Sequence, residues 1–302
     1  MSVPSFLSAI IVTNGRPDEL DGTLANLLNQ DRQPEEIIVL DNDPGKSALR
    51  APHISDPLVR YICPGEDLGT ARGRNCAAAA ARGDLLLFIE DFVRFDKYYV
   101  TAGLINAFRP EELGAATFYV RNASSRELVR EEYTGQSVSH ADKQRDVCAL
   151  SPCCHAIRYS VFSDIGGFDE HLFDGDEALE MAVRVVKAGW RIRFLPTIMV
   201  EYRATMRPPN VSPTAYRLVR NRTYYALKHL PIFPFVLVQA FTGSMRGLLA
   251  AVTEKGFADW IDGFKAFKAE GLWKAAMDYR KEHPTSQKIM TYLLKNEGKM
   301  VS

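Results

Sequence analysis

Gly83-Asp84-Leu85-Leu86-Leu87-Phe88-Ile89-Glu90-Asp91-Phe92-Val93 is the stretch on which the fold of this chain turns. Leu85 to Ile89 form an apolar run of strand length, which delivers Glu90 and Asp91 to its C-terminal end. Ligands of open parallel sheets bind outside the carboxyl ends of the strands. Adjacent carboxylates at such an end can hold a divalent cation, and the cation a diphosphate. The same pair would also serve as a solvent-facing strand cap, so the neighbouring sequence has to decide.

Upstream, strands and helices alternate. Leu7 to Thr13 is a β-branched apolar run, followed by the turn Asn14-Gly15-Arg16-Pro17. A helix is predicted from about Asp18 to Leu28, with Leu20, Leu24, Leu27 and Leu28 on one face. Pro34 introduces a buried strand, Ile37 to Asp41, and a short strand follows at Val59 to Ile62. Thr70 to Ala81 is a helix of small residues able to pack closely on a sheet. This β-α-β-β-α-β order predicts an α/β fold, a mostly parallel sheet flanked by helices.

At 302 residues, the chain suffices for one large α/β domain with an appendage. Apolar residues at 46% and charged residues at 25% place it among soluble globular proteins. Lys+Arg and Asp+Glu both total 37, so no global field favours nucleic acid. Cys63, Cys76, Cys148, Cys153 and Cys154 are odd in number and not spaced as a disulfide framework, which favours a reducing compartment. Cys153-Cys154-His155 lacks the spaced second half of a zinc motif. The N-terminus has no basic region followed by an apolar core, so a cytoplasmic location is expected.

A dinucleotide-binding domain would require G-x-G-x-x-G in the first strand-to-helix turn. That turn here holds one glycine, Gly15, and is lined by Thr13, Asn14 and Arg16 instead. A nucleotidyltransferase would want a Gly-rich, basic first loop, which this turn is not.

The polar stations Thr13-Asn14-Gly15-Arg16, Asp41-Asn42-Asp43 and Glu90-Asp91 resemble, in order, those of the inverting family 2 glycosyltransferases of the GT-A fold. The run from Asp67 through Gly69, Arg74 and Asn75 to Asp91 is similar to the segment leading to that family's D-x-D motif. Arg158 to Phe173, with Gly166-Gly167-Phe168-Asp169-Glu170, is similar to its acceptor-side motif, and Glu177 to Pro196 to its acidic helix. The resemblance spans about Val3 to Tyr202. It implies a GT-A catalytic domain over 1–205 and a C-terminal helical region over 206–302.

The resemblance also implies roles. Asp41 and Thr13 would hold the nucleoside of a UDP- or dTDP-linked sugar, with Asn14, Arg16, Asn42, Arg74 and Glu90 around them. Asp91 would meet the ribose or a Mn2+ or Mg2+ ion. Arg74 would clamp phosphate or pair with an acid of the strand end. Gly167, Phe168 and Asp169 would border the acceptor. The D-x-D register reads Glu90-Asp91-Phe92, however, and phenylalanine cannot ligate a cation. The family's downstream metal-binding His falls near Val200-Glu201-Tyr202, where only Glu201 offers an oxygen. Aligned on Arg184, the catalytic base falls on Ala178, leaving Asp176 and Glu177 as candidates. Acids at a helix N-terminus are also favoured simply by the helix dipole.

The last third differs in character. Tyr216 to Lys228 mixes arginines and aromatics on a predicted helix similar to that following the catalytic domain of bacterial rhamnosyltransferase-like members. Leu230 to Met245 is apolar but shorter than the roughly 18–20 residues that span a bilayer. Phe257, Trp260, Ile261, Phe264 and Phe267 recur at helical spacing beside Lys265 and Lys268, which suits either an interfacial helix or packing against the catalytic domain. The expected activity is inverting transfer of a sugar from a nucleoside diphosphate to a glycan or lipid-linked acceptor in cell-surface polysaccharide assembly, at the inner face of the cell membrane. The competing expectation is a catalytically degenerate nucleotide-sugar-binding or scaffold subunit.

Overall fold

The computed structural model describes residues 4–125, 144–203, 214–230, 252 and 257–284. They fall into two compact units, the described residues of Met1–Phe173 and Glu177–Pro209, and those of Asp174–Asp176 and Asn210–Lys295. The apolar run after Leu230 and most of the loop between Arg121 and Cys148 lie outside the described residues.

In the first unit, β1 (Leu7–Thr13), β2 (Glu36–Asp41), β3 (Val59–Ile62) and β4 (Leu85–Ile89) pair in parallel, in the order β3-β2-β1-β4. Between β1 and β2 runs α1 (Pro17–Leu28), with proline at its first turn where a missing N–H costs nothing. α2 (Gly69–Ala79) links β3 to β4. Beyond β4 the sheet turns mixed. β5 (Val93–Phe95), α3 (Val100–Ala107), β6 (Leu113–Asn122), β7 (Arg145–Val147), β8 (Cys154–Arg158), α4 (Tyr159–Asp164), α5 (Glu177–Lys187) and β9 (Arg191–Tyr202) follow in the chain. β8 runs antiparallel between β4 and β6, β6 pairs parallel with β9, and β5 and β7 each pair antiparallel with β9. The β6–β9 register shifts between Phe118 and Tyr119, where β9 carries Pro196, a residue with no N–H for the ladder.

Strand side chains alternate between faces, and this alternation decides what the site receives. Leu7, Ala9 and Ile11 of β1, Ile37 and Val39 of β2, and Leu85, Leu87 and Ile89 of β4 share one buried cluster with Leu20, Leu24 and Leu27 of α1. Continuing that parity, Thr13, Asp41 and Asp91 emerge on the α1 face. The opposite parity carries Val12 and Leu40, which lie against Gly73 of α2.

The second unit contains α6 (Thr214–His229), α7 (Phe257–Ala269) and α8 (Leu272–Glu282). A Cβ on Gly263 would stand 2.8 Å from the Tyr216 carbonyl oxygen, so glycine is what lets α6 and α7 approach closely. Phe257, Ile261 and Phe264 of α7 remain exposed, with Phe257 stacked on Trp260 and Trp260 edge-on to Phe264. Among the described residues, no helix is long and apolar enough to cross a membrane.

Candidate donor site at the carboxyl ends of the parallel strands

The C-terminal ends of β1, β2 and β4 bring their polar residues together. Thr13 lies opposite Asp41 in the β1–β2 ladder and donates its hydroxyl to Asp91 Oδ2 at 2.6 Å. Asp91 and Asp41 are both completely buried. Arg16, at the N-cap of α1, spans the Asp91 carboxylate: Nε donates to Oδ2 at 3.1 Å and Nη2 lies 2.7 Å from Oδ1. Burial pushes the Asp91 carboxyl up to about 7, against the opposing pull of Arg16 and Thr13. The guanidinium stacks over Phe92, 4.8 Å from its centroid, and Phe92 meets Tyr202 edge-on at 5.0 Å.

Asp41 is anchored from three sides. Oδ1 accepts from the Asp43 N–H at 3.0 Å, and Oδ2 from the Ala48 N–H at 3.0 Å and the Tyr61 hydroxyl at 3.1 Å. Burial, and next the Asp41 charge, push the Tyr61 phenol upward, so its proton stays in place to donate. Tyr61 is a site residue that sequence reasoning missed. Its only signal was that it shares strand parity with Val59 on the neighbouring parallel strand. Asn14 donates to Asp67 Oδ2 at 3.0 Å, another partner the sequence did not reveal.

Glu90 takes the other face. Arg74 of α2 donates through Nη2 to Glu90 and, at 2.8 Å, to the Pro152 carbonyl, and through Nη1 to Glu177 Oε1 at 2.9 Å. Arg74 and Glu177 side chains are each only 3% exposed, so this is a buried bridge rather than a surface pair. Arg74 thus pairs with an acid of the strand end, Glu90.

Beside this bridge lies His155, fully buried against Phe88 and Phe168. Its Nδ1 stands 2.7 Å from the Ser151 carbonyl oxygen, which can only accept, so Nδ1 carries the proton. Burial, reinforced by the Arg74 charge, pushes the imidazole down to about 3.

Several expected site residues have local partners of their own. Asn42, expected at the nucleotide, spends its amide on the entry to α2, donating to Gly69 O at 3.1 Å and accepting from Leu68 N–H at 3.2 Å. The reason is parity: one step past Asp41, it points to the α2 face. Phe168, expected beside the acceptor, is buried in a cluster with Phe88, His155 and Phe162. Gly167 precedes it at φ 72°, where a Cβ would lie 2.7 Å from Asn75 Oδ1. Asn75 in turn exchanges hydrogen bonds with the Phe168 N–H and carbonyl at 2.8 and 2.9 Å. The Asp169 carboxylate, only 7% exposed, accepts from the His171 N–H at 3.0 Å and lies 2.9 Å from its Nδ1. Asp176 belongs to the second unit, where its carboxylate lies 3.0 Å from Arg222 Nε.

The three acids expected near a divalent cation are each paired with arginine. Asp91 is held by Arg16, Glu90 by Arg74, and Glu201 by Arg121 at 2.7 Å and by Arg203. Burial opposes ionisation of Glu201, but these two arginines hold its carboxyl below the ordinary range. Among the described residues, no group of three or more His, Cys, Asp and Glu gathers as ligands would. As arranged, this donor set does not fit a bound divalent cation.

The sequence pattern of Glycosyl transferase family 2 matches residues 8–166, more than half of the chain. An uncharacterized protein of Haemophilus influenzae (strain ATCC 51907 / DSM 11121 / KW20 / Rd) is 26% identical over 149 residues, 47% of this chain and 78% of that protein. The mannosyltransferase of Pyrobaculum calidifontis, solved with GDP-Man and Mn2+, superposes with a TM-score of 0.56 at 14% identity, covering 99% of this chain and 86% of that one. S. aureus TarS 1-349 in complex with UDP-GlcNAc gives 0.56 at 16% identity, covering 98% and 89%. GalNAc-T7 with UDP, GalNAc and Mn2+ gives 0.56 at 18%, covering 93% of this chain but 58% of that one. At these identities the solved structures speak for the fold alone, which is GT-A. The family match, over more than half of the chain, makes the protein one of the glycosyltransferase class. The chain belongs to glycosyl transferase family 2.

Proposed function

We propose that this protein moves a hexosyl or deoxyhexosyl group from a UDP- or dTDP-linked donor to a glycan or lipid-linked acceptor, with inversion, at the inner face of the membrane in cell-surface polysaccharide assembly. The observation that carries the reading is the convergence of Thr13, Asp41 and Asp91 on one face of the sheet at its carboxyl end. In this reading Asp41 and Thr13 border the nucleoside, Asn14 lines the ribose side, and Arg16 faces the diphosphate. The acceptor oxygen bonds to the anomeric carbon while the bond to the diphosphate breaks, its electron pair passing to a phosphate oxygen. The acceptor proton goes to Glu177, which Arg74 holds at the start of α5. Asp176 is the second candidate base.

One observation favours the other reading, nucleotide-sugar binding without transfer: the Glu177 and Asp176 carboxylates are both buried and paired with arginines. Nucleotide release from a panel of UDP-, dTDP- and GDP-sugars, with Glu177→Ala alongside, separates the two. Calorimetric titration with the free nucleotides tests what they share. Asp41→Asn sets an amide N–H against backbone N–H donors and should weaken nucleotide binding at least about tenfold, roughly 1.4 kcal/mol. A wild-type protein that binds none of the nucleotides refutes the donor site.

The exposed aromatic edge of α7, with Lys265 and Lys268 on the same helix, supports peripheral membrane contact. Vesicles containing phosphatidylglycerol should carry the protein upward in a flotation gradient, and Phe257→Ser/Phe264→Ser should leave it at the bottom. Wild-type protein that never floats removes this part of the reading.

A further inference from the structure

The family resemblance puts a divalent cation at Asp91, but the side chains around Asp91 are arranged for something else. Oδ2 accepts from Arg16 Nε at 3.1 Å and Thr13 Oγ1 at 2.6 Å, while Oδ1, which accepts no hydrogen bond, lies 2.7 Å from the positive charge at Arg16 Nη2. An ion ligated by these oxygens would sit against a guanidinium that is already there, with like charge repelling it. That guanidinium is held in place, its side chain 10% exposed and its plane resting on Phe92. Phe92 cannot bind a cation through a lone pair, yet its face is a good support for a planar guanidinium. The residue that breaks the D-x-D pattern is thus the one that seats the arginine.

One corner of the Arg16 guanidinium is left over. Nη1 is buried and has no hydrogen-bond partner. Buried donors in folded proteins are ordinarily satisfied, so one left open beside an occupied carboxylate points to an acceptor oxygen that the chain does not supply.

We propose that Arg16, in place of a divalent cation, supplies the positive charge that receives the donor's diphosphate, so that this chain binds nucleotide without metal. The proposal rests on the donor-site reading above. A guanidinium beside one carboxylate carries the same net charge as a doubly charged ion beside two, so the site's charge balance is kept. When the bond between the anomeric carbon and the diphosphate breaks, the electron pair goes to the phosphate oxygen. Arg16 remains protonated throughout, donating hydrogen bonds and exchanging no proton.

The test is calorimetric binding of UDP, dTDP and GDP to the wild-type protein in EDTA and in saturating Mn2+, with Mn2+ binding to the protein alone followed by electron paramagnetic resonance. Affinity for the preferred nucleotide is expected to agree within about twofold between the two conditions, with no tight Mn2+ site on the protein. Arg16→Ala should cost at least about tenfold in EDTA, and Mn2+ should recover part of that loss because Asp91 is then free to ligate. Arg16→Lys, which keeps the charge, should fall between them. Binding that requires Mn2+ in the wild type, or a tight Mn2+ site lost in Asp91→Asn, overturns the proposal while leaving the donor site standing. Absence of binding in both conditions overturns the donor site itself. If Arg16→Ala does not fold, the two wild-type measurements still decide.

Discussion

Arg74→Ala should lower the stability of the first unit by about 3–5 kcal/mol, the cost of removing one partner from a buried ion pair. Arg74 neutralises Glu177, whose side chain is 3% exposed, and also holds Glu90 and the Pro152 carbonyl. Without it, Glu177 and Glu90 lose the guanidinium that both share, and α2 loses its tie to the β4 end and to the start of α5. The sign of the effect can be isolated. Arg74→Ala/Glu177→Gln removes both charges and should be more stable than Arg74→Ala by about 1–3 kcal/mol, a coupling expected of residues in contact. Arg74→Lys should recover only part, because one ammonium cannot reproduce a fork that reaches both carboxylates and a carbonyl. Urea unfolding of the four proteins measures all of this. A loss below about 1 kcal/mol in Arg74→Ala would mean that the bridge is solvated and weak.

The second large effect is on acid stability. His155 is neutral in the folded protein, its imidazole pushed down to about 3 by burial and by the Arg74 charge. In the unfolded chain it titrates near the ordinary value of about 6.5. Below that pH the unfolded state gains a proton that the folded state refuses. Nothing is lost above about pH 6.5, and below it stability should fall by about 1.4 kcal/mol per pH unit from this residue alone, until the folded value is reached. Other groups also titrate there, so the useful measure is a difference. His155→Phe, which suits the surrounding Phe88 and Phe168, should lose roughly 2–3 kcal/mol less than the wild type between pH 7 and pH 4.5. Equal losses would show that water reaches the imidazole and that it charges within the fold.

β1, β3 and β4 run from Leu7 to Thr13, Val59 to Ile62 and Leu85 to Ile89, the limits predicted from their apolar runs. α1 and α2 begin one residue earlier than predicted, at Pro17 and Gly69. Such segments are legible because their burial is local to the sequence: turn residues bracket an apolar run, and the run has no polar alternative. The antiparallel insertion of β8 between β4 and β6 was not legible. It depends on a pairing across long loops that periodicity does not encode. The same holds inside the site. Thr13, Arg16 and Asp91 were identified as polar residues at a sheet mouth, but Arg16 lies 75 residues from Asp91, and Arg74 lies 103 from Glu177. No spacing rule connects residues so far apart.

By itself the sequence determined the alternation of strands and helices, and with it the end of the sheet at which Thr13, Asp41, Glu90 and Asp91 would arrive. Hydrophobic burial dictates that much, because the apolar runs leave the chain few other ways to leave water. Which face each acid took, and which cation it met, was decided only in three dimensions. Parity put Asp91 under Arg16 and Glu90 beside Arg74, and a carboxylate answers to the nearest opposite charge in space, however far away that charge lies in the chain.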